Sequence, residues 1–259
     1  MKLEEMFNNV KDIEVKGGSH IEITGITHDS RKVRNGFLFA CLRGTGKHGH
    51  EFINDAVSRG AKAVLVEGDA EVPDGITAVK VKDTMKTLAI IANNFYGEPS
   101  KEFKLVGVTG TKGKTTITYM IKSILETSGY KVGLIGTVQD MIGSTVLATE
   151  RSTPTTPQSV DLQELFRTMA DAGVDAVVME VSSHALELSR VDGCDFDIGI
   201  FTNLTRAHLD FHKNFDNYLA AKAKLFDMCR HGIINIDNEY GRKIASSASC
   251  TFTTYGVDC

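Results

Sequence analysis

The residues best suited to chemistry form one run, Gly110-Thr111-Lys112-Gly113-Lys114-Thr115-Thr116. Glycines without a Cβ let backbone N–H groups approach phosphate oxygens, and a helix opening behind them adds the positive end of its dipole. Lys114 is spaced to reach terminal phosphates, and the Thr115 hydroxyl to bind Mg²⁺. The strict pattern G-x-x-x-x-G-K-[ST] is not met, because Val108 occupies the first glycine position. Context favours a phosphate loop over a plain Gly/Lys-rich turn: an apolar strand is predicted at 103–108 and a helix over 114–128.

Other groups carry candidate chemistry. Glu180 ends the apolar run Val177-Val178-Met179. Ligands gather at the carboxyl ends of strands in an open parallel sheet, so an acid there could hold Mg²⁺; the plainer alternative is a surface Glu that starts a loop. The run His208-Leu209-Asp210-Phe211-His212 alternates imidazole and carboxylate. Extended, it would turn all three groups toward a metal, but the residues alone favour a hydrogen-bonded turn. Lys222 borders an apolar stripe of Tyr218, Ala221, Leu225 and Phe226. Half-buried, it would become a reactive neutral amine; the spacing alone favours a Lys reaching into solvent. The segment Arg151-Ser152-Thr153-Pro154-Thr155-Thr156-Pro157 could bind phosphate or sugar, and more simply could cap a helix starting near Gln158. Residues 27–31 (T-H-D-S-R) and 44–50 (G-T-G-K-H-G-H) are polar loops between strands, where ligands commonly bind.

These side chains need elements to position them. Strands are predicted at 21–26, 37–42, 61–67 and 77–81, with a helix at 52–59. Asp83 can cap a further helix that runs to Phe95 and stops at Gly97. Gly97-Glu98-Pro99-Ser100-Lys101 reads as a linker, which divides the chain into domains at 1–98 and 99–259. In the second half, Ile117, Met120, Ile121, Ile124 and Leu125 fall on one stripe of the helix at 114–128. Strands at 132–138, 176–181, 198–203 and 233–236 alternate with helices at 159–171 and 215–229. The expected class is α/β: a small N-terminal α/β domain followed by a P-loop NTPase-like, mostly parallel sheet covered on both faces.

Composition bounds the partners. Apolar residues make up 42% and charged residues 24%, with a formal charge of −4, which gives no reason to expect nucleic acid or an anionic membrane surface. No apolar run approaches the roughly 18 residues that span a bilayer, and residues 1–16 lack the apolar core of a signal peptide. The five cysteines are odd in number and form no C-x-x-C pair, so they read as reduced thiols. A cytoplasmic monomer acting on small molecules is expected.

The motifs T-H-D-S-R at 27–31, G-K-H-G-H-E-F-I at 46–53, V-T-G-T-K-G-K-T-T at 108–116, T-T-P at 155–157, M-E-V-S-S-H-A-L at 179–186, T-N-L-T-R-A-H-L-D at 202–210 and A-A-K at 220–222 cover nearly the whole chain. Together they resemble the Mur ligases, and most closely the type that adds the third amino acid of the peptidoglycan stem. The resemblance implies an ATP-dependent amide ligase that adds diaminopimelate or lysine to UDP-N-acetylmuramoyl-L-alanyl-D-glutamate through an acyl phosphate, serving the cell wall and hence cell shape and division.

The same resemblance implies residue roles. The first domain would hold the uridine nucleotide, with Ser30, Gly46, Lys47 and His48 near it. Gly110, Thr111, Lys112, Gly113, Lys114, Thr115 and Thr116 would bind ATP, with Thr115 and Glu180 on Mg²⁺. Thr155, Thr156, Ser182 and Arg190 would contact the muramoyl-dipeptide. His208 would help hold a second Mg²⁺, and Lys222 would be carbamylated by CO₂; on both, the resemblance reverses what the residues alone favour. Lys114, Lys222 and His208 would be catalytic. Ala207 stands where the family usually has Asp before the His. The family's third domain, which takes the incoming amino acid, has no counterpart, and the central domain is expected to be unfinished at Cys259. Two alternatives stay open: a folate-type ligase, which the T-H-D-S-R domain disfavours, and a nucleotide-binding module without complete ligase activity. A P-loop kinase is a weaker option, since nothing resembles a phosphoacceptor lid.

Overall fold

The computed structural model describes residues 1–43, 49–150 and 153–257. They divide into two compact units, Met1–Gly97 and Glu98–Cys259, each built around its own sheet.

The first unit holds strands β1 (Glu14–Lys16), β2 (Gly25–Thr27), β3 (Phe37–Ala40), β4 (Ala63–Glu67) and β5 (Thr77–Val81), in spatial order β1-β5-β4-β3-β2. All pairs are parallel except β1 with β5. Its helices are α1 (Leu3–Met6), α2 (Ile53–Ser58) and α3 (Thr84–Phe95). The run Ala63-Val64-Leu65-Val66 is buried throughout, as expected of a parallel strand covered on both faces. Asp83 caps α3 by accepting from the Lys86 N–H at 2.9 Å. The strand expected at 21–26 shrinks to Gly25–Thr27, because Glu22 pairs instead in an isolated bridge with Lys2. β1 escapes sequence reading: its residues Glu-Val-Lys are all exposed at the sheet edge and carry no apolar alternation.

The second unit holds β6 (Lys104–Thr109), β7 (Val132–Ile135), β8 (Asp140–Ile142), β9 (Thr145–Val146), β10 (Ala176–Glu180), β11 (Phe196–Phe201), β12 (Cys229–Asn235) and β13 (Thr251–Tyr255). The order is β13-β12-β11-β6-β10-β7-β8-β9, parallel from β13 to β7, with an antiparallel hairpin at β8–β9. β6 comes first in this unit yet lies mid-sheet, between β10 and β11. The chain therefore reverses direction of travel beside its carboxyl end, which is where open α/β sheets take ligands. Helices are α4 (Lys114–Thr127), α5 (Ser159–Asp171), α6 (Ser183–Glu187), α7 (Leu209–His212), α8 (Phe215–Ala223), α9 (Leu225–Met228) and α10 (Glu239–Ser247).

Both sheet faces are packed. Ile117, Ile121 and Leu125 of α4 meet Val106, Val108, Val132, Leu134 and Val178 in one layer. In the other, Leu162, Phe166 and Met169 of α5 join Leu105, Val177, Met179 and Phe196, with Tyr218, Leu225 and Phe226. Met120 and Ile124 do not belong to the buried stripe: they are 59% and 65% exposed, while Thr118 and Lys122 are buried. An arc as wide as 117, 120, 121, 124 and 125 offers more apolar surface than one flat sheet face can cover. The helix expected at 215–229 is interrupted at Lys224, and Cys229 already starts a strand. The strand expected at 132–138 stops at Ile135, because Gly136 passes against Glu180.

Candidate active site

The loop at 110–113 joins the end of β6 to α4, and Gly113 is the helix N-cap with φ 87°. A Cβ on Gly110 would lie 1.9 Å from Thr202 Oγ1, so the close approach requires glycine. The segment after β11 laces the loop down. Thr111 N–H donates to the Asn203 carbonyl at 2.9 Å and Lys112 N–H to Asn203 Oδ1 at 3.0 Å. The Thr202 hydroxyl donates to the Lys112 carbonyl at 2.7 Å. Lys114 folds its ammonium back onto the Gly110 and Thr111 carbonyls at 2.9 and 3.3 Å. Burial lowers its pKa, opposed by the charge of Glu180. Lys112, on the loop, and Thr116, in the first turn of α4, are both exposed.

Glu180 is not a surface residue: it is 1% exposed at the end of β10. β10 lies between β6 and β7, so its last side chain is enclosed by the turns that leave both neighbours. The Thr115 hydroxyl donates to Oε1 at 2.9 Å, Thr137 N–H to Oε1 at 2.8 Å, and the Thr137 hydroxyl to Oε2 at 3.1 Å. A hydroxyl and a carboxylate in contact beside a phosphate loop are hard oxygen donors of the type Mg²⁺ accepts.

A cavity of about 210 Å³ opens next to the loop, and Gly110, Lys114, Ser182, Arg190, His208 and Lys222 are among its lining residues. Lys222 is 1% exposed, which overturns the expectation of a solvent-reaching side chain. Its amine lies 4.7 Å over the Tyr218 ring and has no hydrogen-bond acceptor among the described residues. Burial and the nearby charge of Lys114 hold its pKa well below the ordinary lysine value. The Tyr218 hydroxyl meets Thr111 Oγ1 at 3.0 Å, so one ring ties the Lys222 face to the phosphate loop.

His208 lines the cavity, but the extended ligand run does not form. Residues 209–212 make a helical turn behind His208, which itself has φ 54°. The turn takes His212 into the interior, where Nε2 contacts Ser183 Oγ at 2.9 Å and burial, aided by His184, lowers its pKa to about 4. Among the described residues no cluster of three His, Cys, Asp or Glu side chains is ready to hold a metal ion. His184 is not singled out by sequence, yet it lines the cavity. Its ring lies 5.0 Å from that of His208, edge to face, and 4.2 Å from that of Phe211. Its place within E-V-S-S-H is the signal that could have found it.

The hydroxyls at 153–156 do not cap α5, whose N-cap is Gln158 without a side-chain bond. They stitch the loops instead. Thr156 is buried; its hydroxyl donates to the Glu180 carbonyl at 2.9 Å and accepts from Ser182 N–H at 3.0 Å. Ser182 caps α6 by accepting from Ala185 N–H at 3.1 Å. Arg190 donates to the Thr156 carbonyl at 3.3 Å, and its buried Nε has no partner among the described residues. Thr155, at φ 68°, meets Thr137 through their hydroxyls at 3.0 Å. Ser30 is buried in a short turn of the first unit. Gly46, Lys47, His48, Arg151 and Ser152 lie outside the described residues.

A mostly parallel sheet with a glycine loop at its switch point, a buried carboxylate beside that loop and a cavity reached by Lys, Arg and His side chains defines a P-loop-like α/β protein. Residues 108–258 match the Mur ligase middle domain, and residues 22–96 match the Mur ligase family catalytic domain; the chain belongs to the Mur ligase family. It is 48% identical over 244 residues to the UDP-N-acetylmuramoyl-L-alanyl-D-glutamate–2,6-diaminopimelate ligase of Clostridium perfringens, covering 94% of this chain and 50% of that protein. The same-named ligase of Alkaliphilus metalliredigens is 50% identical over 261 residues, with 99% and 52% covered. A solved structure of a ligase of this name superposes with TM-score 0.85 at 27% identity, covering 100% of this chain and 53% of that one. Thermotoga maritima MurF in complex with ADP shares the fold, with TM-score 0.59 at 20% identity over 92% of this chain and 51% of that one. The chain thus spans about half the length of the curated relatives it matches.

Proposed function

We propose that this chain carries the ATP- and muramoyl-dipeptide-binding half of a ligase that joins 2,6-diaminopimelate to UDP-N-acetylmuramoyl-L-alanyl-D-glutamate, working in the cytoplasm on small molecules as a monomer. The observation that carries the proposal is the Thr115–Glu180 contact at 2.9 Å beneath a phosphate loop beside a cavity that holds the buried Lys222, whose amine has no hydrogen-bond acceptor among the described residues.

In the reaction, a substrate carboxylate oxygen attacks the γ-phosphorus of ATP; a P–O bond forms and the bond to ADP breaks. The amine of the incoming amino acid then attacks the carbonyl of the acyl phosphate, and inorganic phosphate leaves. Residues 110–116 hold the nucleotide, and Lys114 exchanges its two loop carbonyls for phosphoryl oxygens. Thr115 and Glu180 would hold Mg²⁺, with His208 and a carbamylated Lys222 as candidates for a second ion; bound there, the ions neutralise charge on the transferred phosphoryl group. Thr155, Ser182 and Arg190 orient the dipeptide carboxylate, with the buried Thr156 bracing Ser182 and Arg190 from behind, and Arg190 Nε, which has no partner among the described residues, is a further donor. Ser30 and residues 46–48 are the candidates for the uridine nucleotide.

Two features support a CO₂ adduct on Lys222. Burial disfavours the charged form of its amine and so favours the neutral, nucleophilic one, and the adduct's negative charge would face the cation of Lys114. The amine nitrogen would bond the carbon of CO₂ and release one proton. The experiment is ADP release in a ligase of the relatives' length carrying these 259 residues, given ATP, Mg²⁺, the UDP-muramoyl-dipeptide and diaminopimelate. Lys114→Ala should abolish it, a loss of at least about 10³-fold; turnover at the parent rate in that variant would overturn the assignment.

A further inference from the structure

Two cysteines meet at the edge of the second unit's sheet. Cys229 opens β12 and is buried, while Cys250 lies just before β13 and is half-buried. Both are free thiols, and their Sγ atoms are 3.7 Å apart. β12 and β13 are parallel neighbours with His231 opposite Thr251, so the register alone brings the starts of both strands together. Cys250 belongs to the irregular segment between α10 and β13 and can shift without breaking a ladder hydrogen bond. Two thiols are too few for a structural zinc site, which takes four ligands, and no third His, Cys, Asp or Glu joins them among the described residues. Cys41 and Cys194 are buried without a thiol contact among the described residues.

We propose that Cys229 and Cys250 are a modification site: under peroxide they form a reversible disulfide that staples the edge β12–α10–β13 unit. The more exposed Cys250 sulfur attacks a peroxide oxygen, giving a sulfenic acid and one water. The Cys229 sulfur then attacks the Cys250 sulfur. The S–S bond forms, the S–O bond breaks, and the hydroxyl leaves with the Cys229 proton as a second water. Two thiols lose two electrons and one hydrogen peroxide is reduced to two waters. Burial, reinforced by Cys250, pushes the Cys229 thiol up to about 12, so the less buried Cys250 is the sulfur oxidised first, and the 3.7 Å separation rather than thiol acidity favours the second step. The sulfurs must close from 3.7 Å to the roughly 2.05 Å of a disulfide.

The position matters because the opposite end of the same unit braces the site. Asn235, at the carboxyl end of β12, donates to the Thr202 carbonyl at 2.8 Å, and Thr202 in turn grips the phosphate loop through Lys112. A staple at the amino end closes the unit into a ring and restrains its unfolding.

The test treats the 259-residue chain with hydrogen peroxide, alkylates it in denaturant, and applies intact-mass analysis and peptide mapping. Alkylatable thiols should fall by two from the five of the sequence, with one linked peptide pair joining Cys229 to Cys250. Dithiothreitol should restore all five, and the oxidised chain should melt at a higher temperature than the reduced one. Cys250→Ser should prevent the loss. Five thiols still alkylatable would overturn the proposal. So would an equal loss in Cys250→Ser, or Cys250 oxidised beyond sulfenic acid while Cys229 stays alkylatable.

Discussion

Glu180 and Lys222 are both buried ionisable residues on the rim of one site, and their surroundings are opposite. Glu180 ends a central strand and accepts three hydrogen bonds, from Thr115 and Thr137. Lys222 sits on a short helix over the Tyr218 ring, with no acceptor for its amine among the described residues. The first arrangement is satisfied and stabilising as it stands. The second leaves an amine whose charged form is disfavoured, which is costly in a finished structure and useful in a reactive one. The loop side of the site is thus built for rigidity, and the cavity side holds a group awaiting a partner.

That contrast can be broken at several points. The largest effect on stability should come from Glu180→Ala, which strands the Thr115 and Thr137 donors; a loss of roughly 2–4 kcal/mol in denaturant unfolding is expected. A loss within about 0.5 kcal/mol would mean the carboxylate is not the hub of its surroundings.

Lys222→Met should behave in the opposite sense, leaving stability unchanged or raising it by about 1 kcal/mol near neutral pH, since it removes a buried amine that has no acceptor among the described residues. The sign with pH follows from the lowered pKa. Between that lowered value and the ordinary 10.5, the unfolded chain binds a proton that the folded chain does not, so the parent gains stability as pH rises. The thioether of the variant cannot titrate, so in CO₂-free buffer the variant's advantage should shrink as pH rises toward 10.5. Parallel curves would place an ordinary charged lysine there.

The smallest effect is expected from Ile124→Lys, within about 0.5 kcal/mol, because Ile124 is 65% exposed on α4. A cost above about 2 kcal/mol would return Ile124 to the buried stripe.

Much of this organisation is legible in the sequence, because it rests on local chemistry. The glycine loop between an apolar strand and a helix, Glu180 after Val-Val-Met, and Asp83 before α3 each declare themselves within a few residues. Long-range facts do not. Lys222 is buried because the phosphate loop, tied through Thr111 to Tyr218 of the same helix, lies against that face of α8, which spacing along one helix cannot reveal. Met120 and Ile124 match the helical period as well as their buried neighbours do, and only the width of the sheet face separates them. β13 is exposed along its whole length and carries no alternation to detect. The grip of Thr202 and Asn203 on the loop joins residues 90 and 91 positions apart, where no local signal exists.

The central claim is that Thr115 and Glu180 together make the nucleotide site of this chain dependent on Mg²⁺. Calorimetric titration of ATP into the 259-residue chain, with Mg²⁺ and with EDTA, tests it directly, alongside Glu180→Gln, which keeps the shape and removes the charge. Mg²⁺ should tighten binding by at least about 10-fold in the parent chain, and that gain should vanish in Glu180→Gln. An equal Mg²⁺ gain in both chains, or none in the parent, would contradict the account.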